Sequence, residues 1–142
     1  MHGIYFVTLS RYIKTFQDIN SDLKKILNSD IDGLVTYEYL ANHIDSCDDI
    51  IDDLIENIIR VDKSGQFVAS TARYLNAIDS EKFADAISKL IAAAIEKDRE
   101  HRYLGDLLQG IWGEDYAARA EELKASDDNF RRIYKRLYPT GF

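Results

Sequence analysis

The sequence predicts an all-α fold, and three observations carry that prediction. Breakers are scarce: one proline and seven glycines in 142 residues are too few for the many tight turns of an all-β chain. Apolar residues recur at helical rather than strand spacing over most of the chain. And the run Phe83-Ala-Asp-Ala-Ile-Ser-Lys-Leu-Ile-Ala-Ala-Ala-Ile95 is apolar over roughly 200° of helical arc, against the roughly 100° of a surface helix. Phe83, Ile87, Leu90, Ile91 and Ala94 share one face, with Ala86 and Ala93 on one flank and Ala84 and Ile95 on the other. Asp85, Lys89 and Glu96 keep to the remaining strip. Such a helix needs cover from several directions. The expected architecture is therefore a single compact domain, residues 1–142, of six or seven helices around a central apolar helix at about 80–98.

The elements follow in order. Residues 4–7, Ile-Tyr-Phe-Val, are β-prone, but no second strand is available to pair with them, so they are read into the first helix. From Leu9, the residues Tyr12, Ile13, Phe16, Ile19, Leu23, Ile26 and Leu27 keep helical spacing up to Asn28. Asn28-Ser-Asp-Ile-Asp-Gly33 is the strongest loop signal in the chain. A second helix is expected from about Thr36 to Arg60, burying Tyr37, Leu40, Ile44, Cys47, Ile51, Leu54, Ile55 and Ile58. Asp62-Lys-Ser-Gly65 closes it, and a third helix, 67–78, turns Phe67, Thr71, Leu75 and Ile78 inward. Asp79-Ser80 supplies an N-cap for the apolar helix. Tyr103 to Trp112 reads as a further amphipathic helix, and Gly113 separates it from 116–123. Ser126-Asp-Asp caps a last helix, 130–138, which Pro139 ends. Arg-Tyr followed by Ile or Leu occurs at 11, 73 and 102, a spacing too uneven for a solenoid repeat.

Composition narrows the class. The lone Cys47 cannot form an internal disulfide, which points to a reducing compartment. The first residues lack the basic start of a signal peptide, and no run reaches the roughly 18 apolar residues of a membrane span. A soluble, cytoplasmic protein is expected, with no membrane partner. The net charge of −7 is unevenly placed. Between Asn28 and Asp62 there are ten Asp or Glu and one basic residue, Arg60, whereas from Glu81 onward twelve acidic and eleven basic residues nearly balance. An acidic block of that kind disfavours nucleic acid and favours a basic partner or a cation.

Within the block, Asp45, Asp49, Asp52 and Glu56 would form one stripe on the second helix, flanked by Asp48 and Asp53. Like charges at that spacing repel by a few tenths of a kcal/mol per pair. The stripe is either a solvated face or the surface that meets a basic partner. His43 and Cys47, four residues apart, have a workable spacing for two metal ligands, but they also suit a half-buried His beside a core Cys. On the last helix Arg131, Arg132, Lys135 and Arg136 form a small basic patch, suited to phosphate or to the acidic stripe, within one chain or across a homodimer.

Two short segments resemble known motifs. The loop 28–39 resembles the calcium-binding loop of EF-hand proteins: Asn28, Asp30, Asp32 and Gly33 match the first, third, fifth and sixth positions. Its twelfth position is Tyr39, with Glu38 one residue early. Asp48-Asp-Ile-Ile-Asp52 looks like the DDxxD motif of isoprenyl diphosphate synthases and terpene cyclases, where carboxylates hold Mg²⁺ against a diphosphate; no second acidic motif accompanies it. These resemblances imply Ca²⁺ or Mg²⁺ as candidate cofactors, with Asn28, Asp30, Asp32, Glu38 and Asp48 as the candidate ligands. No Walker A loop, GxGxxG or GxSxG is present, and no catalytic residue stands out. The favoured expectation is a non-enzymatic interaction or regulatory protein whose acidic helix 36–60 engages a basic partner surface. The alternatives are a divalent-cation site, Mg-dependent diphosphate chemistry, and nucleic-acid binding through the C-terminal helix.

Overall fold

The computed structural model describes residue 21 and residues 23–139; the reading of residues 4–20 lies outside them. Every regular element among the described residues is an α-helix. Helical residues 23–29 (α1) lead into α2 (Leu34–Asn42), α3 (Ile51–Val61), α4 (Gln66–Asp79), α5 (Ala84–Lys97), α6 (Leu104–Trp112), α7 (Ala120–Ser126) and α8 (Asp128–Leu137).

The expected helix 36–60 is two helices. The chain leaves helical geometry after Asn42 and resumes it at Ile51, passing through consecutive turns over 43–50. Asp45, Ser46, Asp48 and Asp49 fall in that interval. Short polar side chains compete with the helix for its own backbone groups, and like charges crowded together add repulsion. Ile44, Cys47 and Ile50 still face the core, so burial continues across the break and hides it from a periodicity argument. The break lets α3 fold back against α2.

Elsewhere the boundaries move less. Asp79 ends α4 instead of capping the next helix: its Oδ1 accepts from the Lys82 backbone N–H at 3.0 Å. α5 begins at Ala84 without a side-chain cap. Ile78, expected inward, is 49% exposed. On α5, Ile87, Leu90, Ile91, Ala93, Ala94 and Ile95 are buried while Ala84 is exposed, so the enclosed arc is widest toward the C-terminal half. α5 packs against α3, α4, α6 and α8, and α4 packs against α2, α3, α5 and α6. The middle of the molecule is therefore shared by α4 and α5.

The pattern of neighbours is close to one-dimensional. α3, α5 and α8 lie side by side in one layer, and α2, α4 and α6 in a second; each helix touches its chain neighbour and the next member of its own layer. That is the contact logic of stacked helical hairpins, here with unequal repeat lengths. The short α7 packs on α8 and belongs to the connection that brings α8 into the first layer. At that end Phe130 is fully buried, edge-on to Trp112 and stacked with Tyr134. The Trp112 indole N–H donates to Asp127, whose other carboxylate oxygen caps α8 at the Phe130 N–H. The expected cap from this Asp pair is thus Asp127.

Three turns lie along one edge of the array, and each is built around a buried aspartate. Asp62 Oδ1 accepts from the N–H groups of Ser64 and Gly65, and Oδ2 from those of Phe67 and Val68, at 2.9–3.1 Å. Asp98 accepts from Arg102, Tyr103 and Leu104 at 2.7–2.9 Å. Asp30 accepts from Asp32, Gly33 and Thr36. Three residues after each aspartate the backbone turns left-handed, at Gly33 (φ 103°), Gly65 (φ 91°) and His101 (φ 58°). The turns also stack. A Cβ on Gly33 would lie 3.4 Å from the Asp62 Cβ, and one on Gly65 would lie 3.3 Å from the Asp98 Cβ. Both glycines are required by φ and by the closeness of the next turn.

Candidate functional site

The acidic candidates occupy the opposite edge. Asp45, Asp48 and Asp49 sit in the 43–50 turn, Asp52 and Asp53 in the first turn of α3, and Glu56 one turn further on. They do not form one helical stripe, because the helix expected to align them is broken between Asn42 and Ile51. Part of the ridge meets lysines of its own chain: Lys82 Nζ lies 3.2 Å from Asp48 and Lys89 Nζ 3.4 Å from Glu56. Both pairs are about half exposed, so each contributes at most about 1 kcal/mol. Asp45, Asp49, Asp52 and Asp53 are exposed and have no ion-pair partner among the described residues.

The DDxxD geometry is not realised. Asp48 and Asp49 precede the helix and Asp52 lies inside it, and Asp48 is already engaged by Lys82. A metal-binding DDxxD needs its first and last carboxylates on one helical face.

The EF-hand-like loop is occupied by its own backbone. Asn28 is still within α1 and Glu38 is exposed on α2. Asp32 caps α2 at the Leu34 N–H. Asp30 is buried; besides its three N–H donors it accepts the Thr36 hydroxyl, which in turn accepts from Asn57 Nδ2 at 2.9 Å. The Arg60 guanidinium completes the chain by donating to Asn57 Oδ1. Burial pushes the Asp30 carboxyl up, but the Thr36 hydroxyl and the N–H groups of Thr36, Gly33 and Asp32 outweigh it, leaving it below its ordinary value. These carboxylate oxygens hold the turn and point at donors rather than at open space. Among the described residues no three His, Cys, Asp or Glu side chains converge as metal ligands.

His43 and Cys47 separate as well. His43 is exposed and stacks on the Tyr39 ring at 4.0 Å between centroids. Cys47 is buried, and burial together with the neighbouring Asp48 charge raises its thiol above the ordinary range, which keeps it protonated and unreactive.

The basic patch on the last helix is partly spent. Arg131 pairs with Asp128, Arg136 donates to the Ile95 carbonyl at 3.3 Å, and Arg132 is half-buried. Arg136 instead joins a cationic region that the periodicity analysis did not anticipate. Lys63, Lys97, Arg99 and Arg102 line a cleft of about 190 Å³ between the 62–65 and 98–103 turns. The available signal was the repeated Asp-x-x-Gly of 30–33 and 62–65, which identifies equivalent turns.

Among the described residues no helix is long and apolar enough to cross a membrane. No protein-family model, curated protein or solved structure matches the chain, so function rests on the chain's own geometry.

Proposed function

We propose that this chain is a small intracellular interaction protein without a catalytic role, presenting the acidic edge around the α2–α3 turn to a basic partner surface. One observation carries the reading: Asp45, Asp49, Asp52 and Asp53 are exposed with no ion-pair partner among the described residues, while Lys82 and Lys89 pair with Asp48 and Glu56. An edge of like charge repels itself, and a partner bearing Lys or Arg relieves that cost while raising the association rate. Ile44, Cys47 and Ile50 anchor the turn to the core, which lowers the ordering cost of binding.

The test compares wild type with D45N/D49N/D52N/D53N in quantitative affinity capture across a salt series. The reading expects a basic protein retained by the wild type, released as salt rises, and lost by the variant. Identical capture by both proteins would show the edge to be solvated surface.

A further inference from the structure

We propose that the cleft between the 62–65 and 98–103 turns is a binding site for a compact oligophosphate, a di- or triphosphate group. Four cations line it, Lys63, Lys97, Arg99 and Arg102, together with Ser64, Tyr103, Asp98 and Glu100. The two carboxylates offset this charge only in part. Asp98 is buried and turned onto three backbone N–H groups, and Glu100 offsets one cation by pairing with Arg102 at 2.6 Å. Lys63, Lys97 and Arg99 have no ion-pair partner among the described residues. Positive charge thus gathers in one concavity on a chain whose net charge is −7.

The fold brings these residues together on purpose-built geometry. Gly65 packs directly on Asp98 and Lys97, so two turns more than thirty residues apart in sequence share one rim. Because both aspartates face inward to hold their turns, the charges left on the outer rim are Lys63, Lys97, Arg99 and the Arg102–Glu100 pair. Arg99 also faces a neighbouring hollow with Arg136 and Glu96, which places a fifth cation beside the cleft. Arginine forks and lysine ammonium groups around a small hollow match phosphate oxygens.

The surroundings select for a compact ligand. Glu96 in the neighbouring hollow and Glu100 on the rim of the cleft would repel a long polyanion laid across the edge. A di- or triphosphate is short enough to meet Lys63, Lys97 and Arg99 while Glu100 stays paired with Arg102. This site lies at the opposite edge from the acidic surface, and its test is independent of that reading.

The experiment titrates the full chain with tripolyphosphate and, separately, with ATP, each against sodium chloride at matched ionic strength, reading thermal stability and 31P line broadening. Saturable stabilisation beyond the salt control is expected, with affinity falling by about tenfold or more in K63Q/K97Q/R99Q and unchanged in K82Q/K89Q. Circular dichroism confirms that both variants remain folded. Equal affinity for the two ligands means that the phosphate chain alone is read; tighter binding of ATP adds a contact to its nucleoside. No response beyond salt, an equal response from K63Q/K97Q/R99Q, or tighter binding of a single-stranded oligonucleotide than of tripolyphosphate overturns the proposal.

Discussion

Replacing Asp62 by Asn tests whether the turn aspartates hold the array together. The carboxylate accepts four backbone N–H groups and the Ser64 hydroxyl, with Gly65 and Phe67 at 3.0 and 2.9 Å. An Asn side chain has one acceptor oxygen, so in either orientation its NH₂ group faces two N–H donors. If the oxygen stays with Ser64 and Gly65, the half-buried Phe67 N–H and the Val68 N–H in the core lose their acceptor. Each stranded donor costs about 1–3 kcal/mol when buried, and water partly recovers the Phe67 group. The expected loss is therefore about 2–4 kcal/mol, well above the roughly 1 kcal/mol of an ordinary helix cap. For a chain of this size that lowers Tm by roughly 6–12 °C. Urea unfolding of D62N beside D49N, an exposed Asp-to-Asn change expected to stay within about 0.5 kcal/mol, supplies the measurement. Equal midpoints for the two variants would refute the account of the turn.

Asp30 carries a pH dependence. Its folded-state carboxyl titrates below its ordinary value of 3.8, so its stabilisation is present above that value and is lost as pH falls through the lowered folded value. D30N should be destabilised at neutral pH, and its deficit against wild type should shrink steadily below 3.8 in urea titrations. The left-handed residues predict opposite signs. Gly65→Ala places a Cβ at φ 91° and 3.3 Å from the Asp98 Cβ and should cost about 1–2 kcal/mol, whereas His101→Gly relieves a positive φ on a side-chain residue and should gain up to about 1 kcal/mol. Thermal melts of the pair distinguish strain from a general sensitivity of the turns.

The helical class was legible because apolar spacing is a local signal that packing seldom reverses. α4, α6 and α8 fall close to where that spacing places them. The break over 43–50 was not legible from spacing, since Ile44, Cys47 and Ile50 bury in a turn as they would on a helix. Composition carried the information there: Asp45, Ser46, Asp48 and Asp49 are turn-forming residues. The repeated turn was half visible, in Asp30 to Gly33 and Asp62 to Gly65. Its third copy puts His101 at the left-handed position, where a glycine pattern fails. The basic cleft could not be read at all, because Lys63 joins Lys97, Arg99 and Arg102 only once the turns stack.

The charge separation between the two edges has a local and a non-local part, and the helix directions divide them. Asn129 in the first turn of α8 bonds Ser88 near the start of α5, and Arg136 in its last turn reaches Ile95 near the end of α5, so these helices run parallel. Lys82 to Asp48 at one end, and Gly65 on Asp98 at the other, set α3 in the same direction. Acids at the starts of α3, α5 and α8, and Arg60, Lys97, Lys135 and Arg136 at their ends, complement three aligned dipoles at about 0.3–1 kcal/mol each. For α4 and α6 the positive ends are met by the buried Asp62 and Asp98 and, in α6, by Asp106, but the exposed charges around them run the other way. Lys63 and Arg102 lie just before their positive ends, and Asp79 closes α4 at its negative end. Helix stability therefore does not account for the charges on the turns, and that remainder is what a basic partner at one edge and an oligophosphate at the other would neutralise.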